Sequence, residues 1–596
     1  MGNVLYSRAD LKLRQVLSEI ETGSIGLPDL QRPFVWPDKK VRDLLDSMMK
    51  GYPIGFIITW ENANSSEGTK QIGELEHSYK IPNKLIIDGQ QRLTSLFAVF
   101  KKIKVYTADF TYRNIVISYN PFTNVFDVAN SAYEKSADWV YNISDVFTQE
   151  TYPAFNAFIT RLQEARTKKG LEVSEEEKTL IYKRFTELKS LEDYMIPTLN
   201  IDKEADEEDV SNIFVTINSG GTHLNESDFI LTLISVNWPE GREEIEKFCK
   251  DTKIPQPIEA GLTAYTPLVN FETSDIIRSI MAFGFRRARL KYCYKLLRGA
   301  DFDNKGVISE ELKIQRFDEF KKALDLTTNP KNWHEFIKCI ISAGFVTADL
   351  LSSNINVAYA YAFYLIGKFD YDMKEDELRK VVTKWFFAIS LTSRYVGSFE
   401  GQMETDMSGL EDVHNAEEFE SYFNSLMASR LTDDFFNITL TGPDGLESTA
   451  TNNPAWLCYC ASLSVLNAKV LFSKTDLAVS QLFSEYSKGM RKSLEKHHLF
   501  PKAYLKSIGF AQRLINQEAN YAFIEWPDNM DILDVSPAEY FPDQKKVMNE
   551  DQLKALNIHH ALPDNWENMT YEEFLVERRK LMAKVIKAGY DRILKF

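Results

Sequence analysis

From about Trp238 to Asn437 the sequence keeps an almost wholly helical pattern, and this run constrains the fold more than any other feature. Within it, 265–298 and 376–393 carry apolar residues at the spacing of helices with one buried face. Such a run fills a domain of its own and confines strands to the flanks, so the chain reads as a multidomain α+β protein. Its 596 residues leave room for three parts, 1–237, a helical middle at 238–438, and 439–596. The stretch 439–454, rich in Thr, Gly, Asn and Pro, is the best linker candidate.

Composition excludes several function classes. Seventy basic against 86 acidic residues give a net charge of -16, which rules out chain-wide attraction to nucleic acid or an anionic membrane, so any phosphate binding is local. Cys249, Cys293, Cys339, Cys458 and Cys460 form no CxxC pair, which fits a reducing cytoplasm better than a zinc ribbon. The longest apolar stretch, 455–472, is broken by Asn467 and Lys469, and 357–367 is too short to span a bilayer; both read as buried helices. With no export signal visible at the start, a cytoplasmic protein without membrane contact is expected.

The N-terminal part mixes strands and helices. A helix is expected from Asp10, with Leu13, Val16, Leu17 and Ile20 on one face and Gly23 as its stop. A Pro-rich loop, 27–37, exposes Gln31 and Arg32, and a helix from Asp38 buries Val41, Leu44, Leu45 and Met48. Runs 54–60 and 84–87 read as strands. The second meets a polar turn, Asp88-Gly89-Gln90-Gln91-Arg92, before a helix carrying Leu93, Leu96, Phe97 and Phe100. Further on, 114–119 reads as a strand, 174–189 and 206–217 as helices, and Asn218-Ser219-Gly220-Gly221-Thr222 as a loop. If the two polar loops converge, they offer guanidinium forks for phosphate, a carboxylate for Mg²⁺ or water, and backbone N–H groups at a helix start. A structural Arg32–Asp88 ion pair is the plainer alternative. No GxxxxGK[ST] pattern occurs, which excludes a P-loop.

The sharpest constellation lies late, in Lys496-His497-His498-Leu499-Phe500-Pro501, with Asn520 twenty-two positions after His498 and Asn529 nine further on. A one-metal nuclease needs a neutral imidazole to activate water, a group to orient it, and side chains to hold the ion beside the phosphate. His498 suits the base and Asn520 its positioning partner, while His497 and Asn529 suit Mg²⁺ or Mn²⁺. Between Ser487 and Arg513, seven basic residues stand against one acidic residue, Glu495; Arg491, Lys492, Lys496, Lys502 and Lys506 are the candidate DNA contacts. A surface His doublet is the bland alternative, and His559-His560 is a second such pair. Another basic block, Arg278 to Arg298, either tracks a nucleic-acid backbone or is a solvated helix face.

Residues 27–36, Ile86-Ile87-Asp88-Gly89-Gln90-Gln91-Arg92-Leu93-Thr94 and 214–222 resemble the three signatures of the GmrS-type, ParB-like NTPase domain. Residues 497–505, 515–520 and 528–540 resemble the GmrD-type, HNH-like nuclease domain, and together these match the GmrSD-type, modification-dependent (type IV) restriction endonucleases. The resemblance implies a ParB/sulfiredoxin-like α/β N-terminal domain and a C-terminal ββα-metal (His-Me finger) nuclease. It implies an NTP site of Asp88, Gly89, Gln90, Gln91, Arg92 and Thr94, with Gln31, Arg32 and Asn218 nearby, Asp88 acting catalytically there, and His498 as the catalytic residue of the nuclease. Thr216 stands where the family often has Arg, and Asn529 where the last His of HNH would stand.

The expected function is cleavage or nicking of modified phage DNA by a Mg²⁺- or Mn²⁺-dependent nuclease that an NTPase site regulates, possible homodimer formation included. Two rivals remain at this stage: a nucleotide-binding regulator whose C-terminal part binds nucleic acid or protein without cutting, and an RNase using the same chemistry.

Overall fold

Tyr6–Lys12 is a strand, β1, where the sequence reading begins a helix at Asp10. Its residues are mostly exposed, so it lacks the apolar alternation that betrays a half-buried strand. The structure, a computed structural model, describes residues 5–26, 36–61, 83–107, 111–205, 238–257, 261–297, 299–301, 307–450, 452–473, 477–483, 495–524, 534–546 and 548–595, with Phe34, Val210, Ile213, Ile230, Ile234 and Glu259. The Pro-rich loop up to Pro33, most of 206–217 and the 218–222 loop lie outside these. The chain is a mixed α+β protein that divides into two compact units, Met1–Arg242 and Glu243–Phe596. Among the described residues, no helix is long and apolar enough to cross a membrane.

In the first unit, α1 (Leu13–Glu21) buries Leu13, Val16, Leu17 and Ile20, and α2 (Asp38–Met49) buries Val41, Leu44, Leu45 and Met48. Then come β3 (Ile57–Glu61), β4 (Lys84–Asp88) and α3 (Gln90–Lys101), with β2 (Ile25–Gly26) between the first two helices. Two small hairpins follow, β5 (Val105–Tyr106) with β6 (Tyr112–Arg113) and β7 (Ile117–Asn120) with β8 (Val125–Val128). Helices α4 (Ser131–Lys135), α5 (Ser144–Phe147), α6 (Thr151–Thr167) and α7 (Glu175–Lys189) lead to β9 (Met195–Ile201). Ser174 and Glu177 form a capping box at the start of α7, satisfying two N–H groups that the helix cannot pair itself.

The main sheet runs β1-β9-β3-β4-β2. β9 pairs antiparallel with β1 and parallel with β3, while β3 is antiparallel to β4. Successive residues of a strand face opposite sides: Ile57 joins the core with Leu13, Ile86, Leu93 and Ile196, whereas Ile58 packs with Ile201, Ala205 and Val210 behind the sheet. The β3/β4 register shifts between Ile58 and Thr59, beside the end of β4.

The second unit is built on helices. Asn354–Phe369 is buried from Asn356 to Gly367, so no face of it is left to solvent. Burying Tyr and Trp on that scale requires partners for their polar ends: Tyr361 donates to Thr327 O at 2.8 Å and Trp333 Nε1 to Ala264 O at 2.9 Å. Among the described residues the helical middle is interrupted by a small antiparallel pair, β10 (Ala300–Asp301) and β11 (Val307–Ile308). Helix Tyr571–Leu594 packs on Pro454–Val465 and Glu375–Leu391, so late and middle helices share this unit. The stretch 439–454 lies within it, folded over buried Leu440 and Leu446. Near the end come β12 (Glu495–His498) and β13 (Tyr521–Ile524), an antiparallel pair with two short helices, Lys502–Ser507 and Gln512–Ile515, between them. All five cysteines are buried, and none is in a disulfide.

Candidate functional site

The first candidate site grows from the end of β4. Asp88 closes the strand, Gly89 turns at φ +95°, and α3 starts at Gln90, so Gln90, Gln91 and Arg92 stand in the first helical turn rather than in an extended polar loop. That start puts Asp88 and Arg92 one turn apart, and Arg92 Nη2 meets Asp88 Oδ2 at 2.9 Å. Nη1 donates to Ile54 O at 2.6 Å. Burial lowers the affinity of this guanidinium for its proton, and the Asp88 charge opposes that. Two left-handed glycines pack beside it: a Cβ on Gly55 (φ +87°) would lie 2.3 Å from Arg92 Nη1, and one on Gly89 3.3 Å from Nη2. Arg92 is therefore a strut joining the entry of β3 to the exit of β4. The Thr94 hydroxyl is buried without a hydrogen-bond partner among the described residues. Gln31, Arg32 and Asn218 lie outside those residues. Phe34, just after the Gln31-Arg32 loop, donates its N–H to Tyr106 O at 2.8 Å, and Arg113 bonds Asp38 and Trp36 O.

The second candidate site is the β12/β13 pair, with His497 opposite Ala522 and His498 opposite Tyr521. Adjacent strand residues face opposite sides: His497 is buried, edge-on to the Tyr540 ring at 6.2 Å, while His498 is half-buried beside the Tyr521 ring at 4.7 Å. His498 Nε2 lies 3.3 Å from Asn516 Oδ1, and Gln512 Nε2 donates to that same oxygen at 2.9 Å. Burial pushes the His498 imidazole below its ordinary value; Asn516 pulls it upward and the Lys502 charge pushes it down. The net shift is downward, towards the neutral form that a general base requires.

Asn520 is fully buried and its amide holds backbone, not the ring of His498. Its Oδ1 accepts from Phe500 N at 2.9 Å, and its Nδ2 donates to Phe500 O and Ile515 O, both at 3.1 Å. It thereby clamps the chain as it leaves His498. Tyr540 donates to Leu499 O at 2.7 Å. Arg578, fully buried, donates Nη1 to Ala519 O at 2.6 Å and Nη2 to Tyr521 O at 2.7 Å, with two longer bonds to His560 O. Lys502 and Lys506 are exposed on the first short helix. Asn529, Arg491, Lys492 and the Lys496 side chain lie outside the described residues.

Sequence reasoning missed Asn516 and Arg578. Gln512 and Asn516 sit one helical turn apart, a faint signal; Arg578 acts mainly on backbone carbonyls, which leave no motif. His560 is structural, its Nε2 2.8 Å from Lys469 O. The basic block 278–298 is partly neutralised at home: Arg278 pairs with Glu400, Arg286 with Asp370, and Arg287 lies 3.6 Å from Glu404. Burial brings Arg286 down to about 10. Among the described residues no group of three or more His, Cys, Asp or Glu is gathered as for a metal ion.

Comparison with known proteins adds two findings. Residues 13–235 match the family described as GmrSD restriction endonuclease, N-terminal domain. Across 574 residues the chain is 24% identical to the uncharacterized protein MJ0686 of Methanocaldococcus jannaschii, covering 91% of this chain and 88% of that one.

Proposed function

We propose that this protein is an anti-phage, modification-dependent restriction endonuclease in which a nucleotide at the β4–α3 junction controls a metal-dependent nuclease centred on His498. The match of residues 13–235 to a restriction endonuclease domain supports a restriction-type role, with DNA as substrate and nuclease as the activity. The observation that carries the catalytic half is the placement of His498 on β12, its ring met by Asn516, its following loop clamped by Asn520 and its pKa lowered by burial.

In this reading His498 takes a proton from the water that attacks the phosphodiester. Asn516 sets the plane of the imidazole, and Asn520, acting through Phe500, fixes where the strand ends. His497 and Asn529 would hold the ion, His497 reaching it from the buried side of β12; an amide oxygen, with no thiolate in the set, suits Mg²⁺ or Mn²⁺. The ion would supply electrostatic stabilisation of charge developing on the phosphate. Lys502 and Lys506, with Arg491, Lys492 and Lys496, would bind the DNA backbone.

At the other site, the first N–H groups of α3 lack helical partners of their own and favour an anion. Gln90, Gln91 and Thr94 are the groups offered to the nucleotide there, with Gln31, Arg32 and Asn218 from the neighbouring loops. Asp88, held in place by Arg92, would orient the attacking water or Mg²⁺. A nucleotide that binds one conformation preferentially shifts the population towards it, which is how turnover at this site would gate cutting.

The test is a gel assay of purified protein with Mg²⁺ or Mn²⁺ on phage-modified and unmodified DNA, with and without each NTP, beside His498→Ala. Metal-dependent cutting that responds to modification and NTP and vanishes in the variant is the expected result. Nucleotide turnover without strand breaks would replace this reading with a non-cleaving regulator.

A further inference from the structure

The connection between His498 and Asn520 holds no acidic residue from Leu499 to Gln517, in a chain of net charge -16. It folds as two short helices, Lys502–Ser507 and Gln512–Ile515, joined at Gly509, which sits at φ +97° with open space around it. The underside is firmly anchored: Leu505 and Ile515 are fully buried, Phe510 packs edge-on to the Tyr571 ring at 5.1 Å, and Tyr571 donates to Leu514 O at 2.8 Å. The outer side carries exposed Lys502, Lys506 and Arg513, none ion-paired among the described residues, together with Ile508, 52% exposed, and Leu514, 46% exposed.

Ile508 and Leu514 thus add apolar surface to an anchored element whose exposed charges are all basic, and a partner that covers both features gains from each. A protein partner matched to this surface would be acidic and apolar; a duplex offers both features in one groove, phosphates at its rims and stackable bases at its floor. Asn516, which ends the second short helix, touches His498, so whatever docks here lies against the proposed catalytic base.

We infer that this helical connection is the element that enters the minor groove of duplex DNA, with Lys502, Lys506 and Arg513 on phosphates and Ile508 and Leu514 as apolar wedges at the base steps. The inference rests on the nuclease reading and deepens it, because wedging unstacks bases and bends the duplex. The protein then favours flexible pyrimidine–purine steps near its cut, which deform at least cost.

The experiment uses the full chain in the His498→Ala background, so that DNA is bound without being cut. Binding to a short duplex is followed by fluorescence polarisation between about 50 and about 200 mM salt, and unstacking by the emission of 2-aminopurine placed at a pyrimidine–purine step. Replacing Lys502, Lys506 and Arg513 with Ala is expected to reduce the salt slope by about 2.7, at about 0.9 per phosphate contact. Ile508→Ser with Leu514→Ser keeps the slope, weakens binding about tenfold, and abolishes the emission rise; Ile508→Met with Leu514→Met restores it. Unchanged slope and emission in these variants, with DNA still bound, overturns the inference and leaves the nuclease reading standing. Absence of any DNA binding by the parent overturns both.

Discussion

Arg92 Nη2 lies 2.9 Å from Asp88 Oδ2 across the Gly89 junction, while its other terminal nitrogen is committed to Ile54 O at 2.6 Å. A motif that reads as a row of ligands thus contains its own brace, with the acid held where β4 ends and the cation largely spoken for.

The brace gives a stability prediction. Arg92→Ala leaves Asp88 and Ile54 O without their donor and is expected to cost about 1–3 kcal/mol, the usual penalty for orphaned polar groups in a partly buried site. Gly55→Ala, forced into a left-handed conformation beside the guanidinium, costs at least about 1 kcal/mol. Because both act on one contact, the double variant is less damaged than the sum. Chemical denaturation of the four proteins measures the coupling.

Asn520→Ala removes three hydrogen bonds at a fully buried position, and an expected loss of about 2–4 kcal/mol follows. Asn520→Asp retains an acceptor for Phe500 N but turns a carboxylate against the carbonyls of Phe500 and Ile515, so it melts no higher than the Ala variant. Thermal melts decide this, and in the proposed reading DNA cutting is lost in both.

With His498 as the proposed base, the pH dependence of cutting is expected to follow its titration. Burial lowers its pKa below 6.5, so the ring stays neutral and competent into mildly acidic solution, and the acidic limb of the rate profile falls below 6.5. Asn516 opposes that depression. Asn516→Ala therefore shifts the limb to still lower pH and reduces kcat more than it raises KM, since the ring is freed to turn. Asn516→Asp shifts the limb upward. Rate profiles of the three proteins measure it.

His560 gives the opposite kind of pH effect, on stability. Burial depresses it to about 3, so the folded chain keeps it neutral while the unfolded chain takes up a proton below 6.5. The sign follows: its contribution is full above the unfolded value and is lost as pH falls from 6.5 towards about 3, at about 1.4 kcal/mol per pH unit. His560→Gln can still donate to Lys469 O but does not titrate. Denaturation midpoints between pH 7 and about 4 are expected to fall less steeply for that variant.

Much of this was open to a reader of the sequence wherever the signal is local. Leu13, Val16, Leu17 and Ile20, and likewise Val41, Leu44, Leu45 and Met48, repeat at helical spacing and are buried as that spacing requires. The strand before Asp88 and the helix after it were legible for the same reason. β1 was not, because an exposed strand carries no alternation. The Asp88–Arg92 pair escaped notice because the turn was read as five residues long, whereas the helix already begins at Gln90. Charge counting along 278–298 missed Glu400, Glu404 and Asp370, since acids that distant in sequence become neighbours only through folding.

Arg578 also bears on how the chain is made. The carbonyl of Tyr521 finds its donor 57 residues further along, and that of Ala519 finds it 59 residues along. A ribosome that has just finished both strands has not yet produced the guanidinium that anchors them. Nascent polypeptides therefore carry the histidine pair for some time without its buried support. In the proposed reading, cutting then waits until synthesis has passed residue 578.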